Sequence, residues 1–151
     1  MDINSLFKML SWNSSEAEQR KGIEEAKRVR YLSVFMQPIE DKSIWENCAK
    51  VIADKNDEEL EIYLEELFYW ISDPNWPGAF IILERLKKMQ AEIIYNTYLT
   101  TVKRAITNKD ENWLFYLEEI LDNKKLRRMV DENTIKILEK NKLNMLRTEN
   151  P

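Results

Sequence analysis

Residues 57–86, DEELEIYLEELFYWISDPNWPGAFIILERL, decide the fold of this 151-residue chain. The apolar positions of the first half recur at intervals of three and four residues, so they share one face of an α-helix. These positions are Leu60, Tyr63, Leu64, Leu67, Phe68 and Ile71. Asn56 or Asp57 can cap the first turn, and Pro74 ends the helix because proline removes a backbone donor. The stretch therefore predicts two helices joined by a sharp corner, the second with Pro77 in its first turn.

Part of this helical unit recurs later in the chain. A shift of 53 residues places 57–67 on 110–120, with Tyr-Leu-Glu-Glu in register, and it places 49–53 on 102–106. Repeated helix pairs are typical of stacks in which each pair buries its apolar face against its neighbours. The content of 2 Gly and 4 Pro in a chain that is 44% hydrophobic agrees with a compact helical protein. We expect one all-α domain over 1–151, built as a stack of about eight antiparallel helices.

The remaining helices follow from capping residues and apolar spacing. They are predicted at about 3–10, 16–30, 42–54, 124–130 and 132–140, followed by a frayed tail at about 144–151. Ser14 or Ser15 caps the second of these helices, Asp41 the third and Asp131 the last. The helical pattern also runs on through 79–106, but an unbroken helix would be about 45 Å long, which is too long for a domain of this size. We therefore expect a break near 88–90.

Charge is unevenly distributed along the chain, although the net charge is only −4. Residues 41–76 carry ten acidic and three basic groups, whereas 77–109 carry two acidic and six basic groups. Two interpretations are open: the oppositely charged segments neutralise each other across their own helix contacts, or they present two faces to binding partners.

The absence of histidine excludes most familiar catalytic and metal sites. Ser-His and Cys-His nucleophile pairs, the common zinc ligand sets and the Glu-x-x-His di-iron motif all require it. Two glycines cannot supply a phosphate-binding loop. Cys48 falls in the apolar spacing of its helix and is interpreted as a small buried hydrophobe. We expect no catalytic residue, metal or cofactor, and therefore no enzyme.

Neither an export signal nor a membrane-spanning run is visible in the sequence. The first residues lack a basic start with an apolar core, and the longest apolar run is far shorter than the ~20 residues that a span requires. The sequence thus predicts a cytoplasmic protein that does not enter the membrane.

Tryptophans and acidic residues supply the candidate interaction site. Helical phase predicts that Trp45 and Trp113 belong to the core. Trp76 lies in the corner, where it is either tucked inward or displayed as an aromatic anchor with polar neighbours, as at interaction hot spots. The acidic segment before it would face a basic partner. The candidate partner-binding residues are Asp73, Asn75, Trp76, Glu58, Glu61 and Glu65.

Three segments give the chain a resemblance to an uncharacterised bacterial family of small helical-repeat proteins. They are Leu10–Ser14 with Gln19 and Gly22-Ile23, Ser43–Lys50, and the motif Asn75-Trp76-Pro77-Gly78-Ala79. The resemblance spans roughly 10–121 and implies a fold, a HEAT-like α-α superhelix, without implying an activity. Several bacterial families of small acidic domains serve as immunity partners of toxins, which offers an analogy for function.

We expect a non-catalytic protein–protein interaction module, either an immunity-like inhibitor or an adaptor. Its partner would be another protein, a basic toxin or a complex subunit, and the chain itself would be a monomer or weak homodimer. The alternative is a nucleic-acid-binding or DNA-repair protein on the same scaffold, for which an acidic chain is poorly suited. That alternative would use the basic residues Lys124, Lys125, Arg127 and Arg128, or Lys87 and Lys88. A purely structural subunit is a third possibility.

Overall fold

A computed structural model describes residues 1–149, and within that range every regular element is helical. The ten α-helices, α1 to α10, are Ile3–Leu10, Glu16–Ala26, Trp45–Ala53, Asp57–Leu60, Leu64–Trp70, Ala79–Lys87, Ala91–Thr107, Glu111–Glu119, Lys124–Met129 and Glu132–Glu149. Short 3-10 helices lie at Leu32–Phe35, Lys42–Ile44, Glu61–Tyr63 and Ile120–Asp122. The prediction of an all-α fold is confirmed.

Most helices begin where a polar side chain can satisfy a first-turn amide. Asn56 forms a reciprocal capping box with Glu59, in which the Asn56 side chain accepts from the Glu59 amide at 2.8 Å. Each such bond occupies a donor that has no partner inside its helix. The other side chains that accept in this way are those of Asp2, Ser15, Asp41, Asp110, Asn123 and Asp131.

The central unit has the predicted buried face but is not one regular helix. The 3-10 turn at Glu61–Tyr63 joins α4 to α5, so the helix is tightened in its middle. The apolar stripe is nonetheless buried at Leu60, Leu64, Leu67, Phe68 and Ile71. The equivalent positions of the second copy, Trp113, Leu117, Ile120 and Leu121, are buried as well. The repeat seen in the sequence thus corresponds to a repeated pattern of burial.

α3 and α8 each pack against two other α-helices. α3 contacts α2 on one side and α6 on the other, while α8 contacts α7 and α10. α5 packs on α6 and α7 and so connects the two groups. The buried side chains form one apolar cluster that extends from Leu6 to Leu138. The packing brings the corner after α5 close to the first turn of α3, and it brings the end of α5 close to the first turn of α8.

Three helix boundaries differ from the predictions, whereas the break before α7 is confirmed because α6 ends at Lys87. α2 was predicted to end at about residue 30 but ends at Ala26. Beside that end, the Lys55 ammonium donates to the Lys27 carbonyl at 2.6 Å. α6 begins at Ala79, so Pro77 precedes its cap and lies outside its first turn. α10 continues to Glu149 because no Gly or Pro interrupts 132–149. Of the expected tail at 144–151, the last two residues lie outside the described residues.

Within residues 1–149, no helix is both long and apolar enough to cross a membrane.

Candidate protein-interaction face

A row of aromatic rings crosses the corner between α5 and α6. The ring of Trp76 meets the edge of Trp45 at 6.0 Å and an interplanar angle of 82°, and it meets Tyr69 at 5.3 Å. Tyr69 in turn meets Trp113, at 6.2 Å and 82°. These separations and angles suit aromatic pairs, which gain energy beyond the area they bury. The row therefore ties the corner to the first turns of α3 and α8.

The inner tryptophans are fixed by hydrogen bonds as well as by packing. The indole N–H of Trp45 donates to the Pro38 carbonyl at 2.7 Å, and that of Trp113 donates to the Phe68 carbonyl at 2.9 Å. Both residues are buried, which confirms their assignment to the core. Trp76 is only half-buried, and within residues 1–149 its indole N–H makes no hydrogen bond. Trp76 thus packs against the core while its polar edge stays available to a partner.

The corner holds Trp76 in place through its own backbone turns. The Asp73 carboxylate accepts from the Asn75 amide at 2.9 Å, and the Asp73 carbonyl accepts from the Trp76 amide at 3.1 Å. Gly78 then adopts a left-handed φ of 84° and caps α6. A left-handed residue lets the chain reverse sharply, and glycine does so without steric cost. Asp73 therefore shapes the turn, while the Asn75 side chain is exposed beside it.

One outer face of α4 and α5 forms what we call the acidic ridge: Glu58, Glu61, Ile62, Glu65 and Tyr69. Glu58, Glu61, Glu65 and Tyr69 follow one another at intervals of three or four residues, and Ile62 is four residues after Glu58 and three before Glu65, so they lie along one side of the helical segment. Ile62 is 77% exposed and Tyr69 is 46% exposed. Within the described residues, none of the three glutamates forms an ion pair. The ridge therefore presents uncompensated negative charge around two exposed apolar side chains.

A small polar cavity of about 190 Å³ opens beside the ridge. Its lining residues are Glu65, Asn96, Thr97, Thr100, Thr101, Arg104 and Trp113. The guanidinium of Arg104 lies 5.7 Å from the centre of the Trp113 ring, which is a cation–π contact. The hydroxyl of Thr101 donates to the Thr97 carbonyl at 2.7 Å, so its oxygen can still accept a hydrogen bond. The cavity can accommodate one polar side chain.

The structure brings most of the sequence-predicted site residues onto one surface. Glu65 and Trp76 lie on either side of Tyr69, which is one helical turn beyond Glu65 and contacts Trp76 directly. Glu58 and Glu61 continue the same face towards the start of α4. The sequence interpretation missed Ile62 and Tyr69. A signal was available, because both are large apolar or aromatic residues that fall outside the buried stripe of their helix and so had to be exposed. Arg104 had no such signal, because only tertiary packing places α7 beside Glu65.

Three of the six basic residues of the nucleic-acid alternative form ion pairs, and the other three, Lys88, Lys124 and Arg128, do not within the described residues. Lys125 forms an ion pair with Glu92, and Arg127 with Glu139. Lys87 contacts the carboxylates of Glu84, Glu119 and Asp122 within 3.0–3.5 Å. Lys124 and Arg128 are exposed. Nucleic-acid binding stays a prediction that none of these contacts favours, because phosphate binding depends on cations free to release counterions.

Cys48 is buried, as its helical phase predicted. Burial raises the pKa of its thiol to about 12, which leaves it protonated at neutral pH and therefore a poor nucleophile. Among residues 1–149, no group of three or more Cys, Asp or Glu side chains is arranged to hold a metal ion.

Comparison with known proteins places the chain in a family. The model of a domain of unknown function, DUF5071, matches residues 40–149, so the chain belongs to that family. The matched range contains the corner, the acidic ridge and the polar cavity. No curated protein and no solved structure matches the chain. The expectation of an uncharacterised family is confirmed, whereas the Asn75–Ala79 motif as its hallmark stays a prediction.

Proposed function

We propose that this DUF5071 protein is a non-catalytic interaction module whose acidic ridge binds a basic surface of another protein. The observation that carries the proposal is the set of three unpaired ridge carboxylates around exposed Ile62 and Tyr69. Apolar and aromatic centres surrounded by polar groups are the usual composition of protein interfaces. Tyr and Trp are also enriched among the residues that dominate binding energy. The half-buried Trp76 extends this surface at the end of α5.

The charge arrangement has a cost in the free protein that a partner would remove. Like charges three or four residues apart on a helix are destabilising by roughly 0.2–0.5 kcal/mol per pair. The pairs Glu58–Glu61 and Glu61–Glu65 both have this spacing, and within the described residues none of these three carboxylates forms an ion pair. A partner that places Lys or Arg side chains over the ridge would turn this repulsion into attraction. Electrostatic steering would also speed the encounter, most strongly at low salt.

The finer features of the function belong to the same proposal. A HEAT-like superhelix would present the ridge as part of an extended surface without any catalytic group. An immunity-like inhibitor would cover the basic surface of a toxin, whereas an adaptor would hold a basic subunit of a complex. Both roles need the same ridge, and in either role we expect the protein to act in the cytoplasm.

The test is an affinity pull-down from lysate with three forms of the protein. The ridge variant is Glu58→Gln, Glu61→Gln, Glu65→Gln, which removes charge while keeping side-chain size. The matched control is Glu16→Gln, Glu40→Gln, Glu132→Gln, which changes three exposed glutamates elsewhere. We expect the wild type and the control to retain a partner with a basic surface, and we expect the ridge variant to lose it.

Circular dichroism first establishes that all three forms fold. Retention should also fall as ionic strength rises, because exposed charges are screened beyond about 10 Å at 0.1 M salt. A basic partner that the ridge variant retains as well as the wild type, or retention that does not respond to salt, would contradict the proposal. A Trp76→Ala variant then tests whether the corner belongs to the same interface.

A further inference from the structure

A second surface, which we call the apolar groove, runs between α2, α3 and α6. It consists of two adjoining cavities of about 610 Å³ and 480 Å³ that share Ala53 and Ile81. Ile23 lines one end, and Phe80 lines the other while remaining 57% exposed. The edge-to-face contact of Phe80 with Tyr116, at 6.0 Å, fixes the position of the ring. The groove is open apolar surface of the kind that marks interaction sites.

Two lysines give the rim of the groove an uncompensated positive charge. Lys50 and Lys88 line the two cavities and are exposed, and neither forms an ion pair within residues 1–149. The other charged groups of the lining are all paired. Lys27 contacts Glu24 and Asp54, Arg85 contacts Asp57, and Glu84 contacts Lys87. An occupant of the groove should therefore combine apolar side chains with unpaired carboxylates.

The acidic ridge of the same chain has this chemistry and a matching length. Glu58 and Glu65 are seven residues apart, or about 10 Å along a helix, with Ile62 between them. The wall of the groove from Phe80 to Lys88 extends about 12 Å along α6. Carboxylates surround an apolar side chain on one surface, and ammonium groups surround apolar side chains on the other. The two surfaces are complementary in charge, in apolar content and in extent.

The ridge and the groove adjoin each other on the molecule. Arg85 lines the groove, and its guanidinium donates to the Asp57 carboxylate at 2.6 Å and to the Lys55 carbonyl at 2.8 Å. Asp57 is the first residue of α4, the helix that leads into the ridge. Complementary surfaces that meet at a common edge suit a two-fold contact, in which each copy supplies both halves.

We propose that two copies of this chain form a two-fold homodimer, with the acidic ridge of each copy seated in the apolar groove of the other. The dimer does not rest on the proposed basic partner. Both contacts use the ridge, however, so a basic partner and the second copy compete for it. Binding of the partner would therefore separate the two copies, and dimerisation would protect the ridge until a partner arrives.

Sedimentation velocity over a range of concentrations tests the dimer with paired charge reversals. The groove variant is Lys50→Glu, Lys88→Glu. For this test the ridge carries charge reversals, Glu61→Lys and Glu65→Lys, in place of the Gln substitutions above. The matched control is Lys136→Glu, Lys140→Glu on α10. We expect the wild type and the control to dimerise, more weakly at high salt. Each surface variant should raise the dimer dissociation constant at least about tenfold, since attraction becomes repulsion in both contacts.

Mixing the two surface variants gives the decisive result. In the mixture, one contact pairs a wild-type ridge with a wild-type groove, and the other pairs a basic ridge with an acidic groove. Dimers should therefore return in the mixture although neither variant forms them alone. The proposal is overturned by a monomeric wild type at every concentration, by an equal loss in the control, or by a mixture that stays monomeric. If the wild type is monomeric but still captures a basic partner through its ridge, the dimer proposal fails and the proposed function stands.

Discussion

Substitution of Gly78 by alanine should destabilise the protein strongly, because this residue makes the corner possible. Its φ of 84° lies in the left-handed region, where a Cβ atom costs about 1–2 kcal/mol. A Cβ built there would lie 2.7 Å from the Cβ of Ala49 and 3.0 Å from the Trp45 carbonyl oxygen. Forcing extra volume into such a packed site costs about 1–3 kcal/mol. We expect Gly78→Ala to lower the free energy of unfolding by about 2–5 kcal/mol in total.

Gly22→Ala is the matched control, since the chain has only these two glycines. A Cβ at Gly22 would also meet a close neighbour, the Cβ of Met9 at 2.8 Å, but Gly22 lies within α2 at an ordinary φ. Alanine there gains up to about 1 kcal/mol of helix propensity, which offsets part of the crowding. Urea denaturation followed by circular dichroism measures both variants. Equal losses, or a loss below about 1 kcal/mol for Gly78→Ala, would refute the assignment of strain to the corner.

Further outcomes follow from three sites in the interior: the largely buried Asp57–Arg85 ion pair, Tyr98 and Cys48. Asp57→Ala should lower the free energy of unfolding by about 3–5 kcal/mol, because the Arg85 guanidinium loses its carboxylate partner. Adding Arg85→Met to the same chain should recover part of that loss, which a double-mutant cycle of urea unfolding measures. Tyr98→Phe should cost about 1–2 kcal/mol by removing the bond to the Leu117 carbonyl. Burial raises the pKa of Tyr98 above its unfolded value of about 10. The contribution of Tyr98 to the free energy of unfolding should therefore be complete below pH 10 and fall above it. The pH dependence of unfolding, compared between wild type and Tyr98→Phe, measures this. The Cys48 thiol, whose pKa burial raises to about 12, should resist a disulfide reagent at pH 8 until urea unfolds the chain, and rapid labelling of the native protein would contradict this.

The fold was largely predictable because its signals are local. Helical spacing identified the buried stripe from Leu60 to Ile71, and polar side chains marked where several helices begin. The break before Ala91 followed from the size of a compact domain. The end of α2 was not predictable, because Lys55 of a later segment binds a carbonyl beside it. The length of α10 was missed because residues 141–149 have weak apolar spacing, although nothing in their composition stops a helix.

The candidate site was only partly predictable, because its residues belong to different helices. Glu65 and Trp76 were accessible to sequence reasoning through charge and turn chemistry. Tyr69 was not singled out, yet it lies one helical turn beyond Glu65, and its ring contacts both Trp76 and Trp113 of the second repeat. Whether Trp76 is tucked or displayed depends on the three-dimensional positions of Trp45 and Tyr69, whose rings both contact it and leave it half-buried.

The charge pattern shows most clearly what a sequence leaves open. The acidic 41–76 segment and the basic 77–109 segment could have neutralised each other, but the described structure has only one ion pair between them, Asp57–Arg85. Lys87 turns instead to Glu119 and Asp122 of the second repeat, in addition to its neighbour Glu84. The ridge glutamates form no ion pairs within the described residues, because the packing of the helices leaves their side chains exposed. Surface ion pairs contribute little to stability, so this arrangement sacrifices little in folding. The arrangement leaves the carboxylates available for contacts with other molecules, where desolvation strengthens the electrostatic attraction between opposite charges.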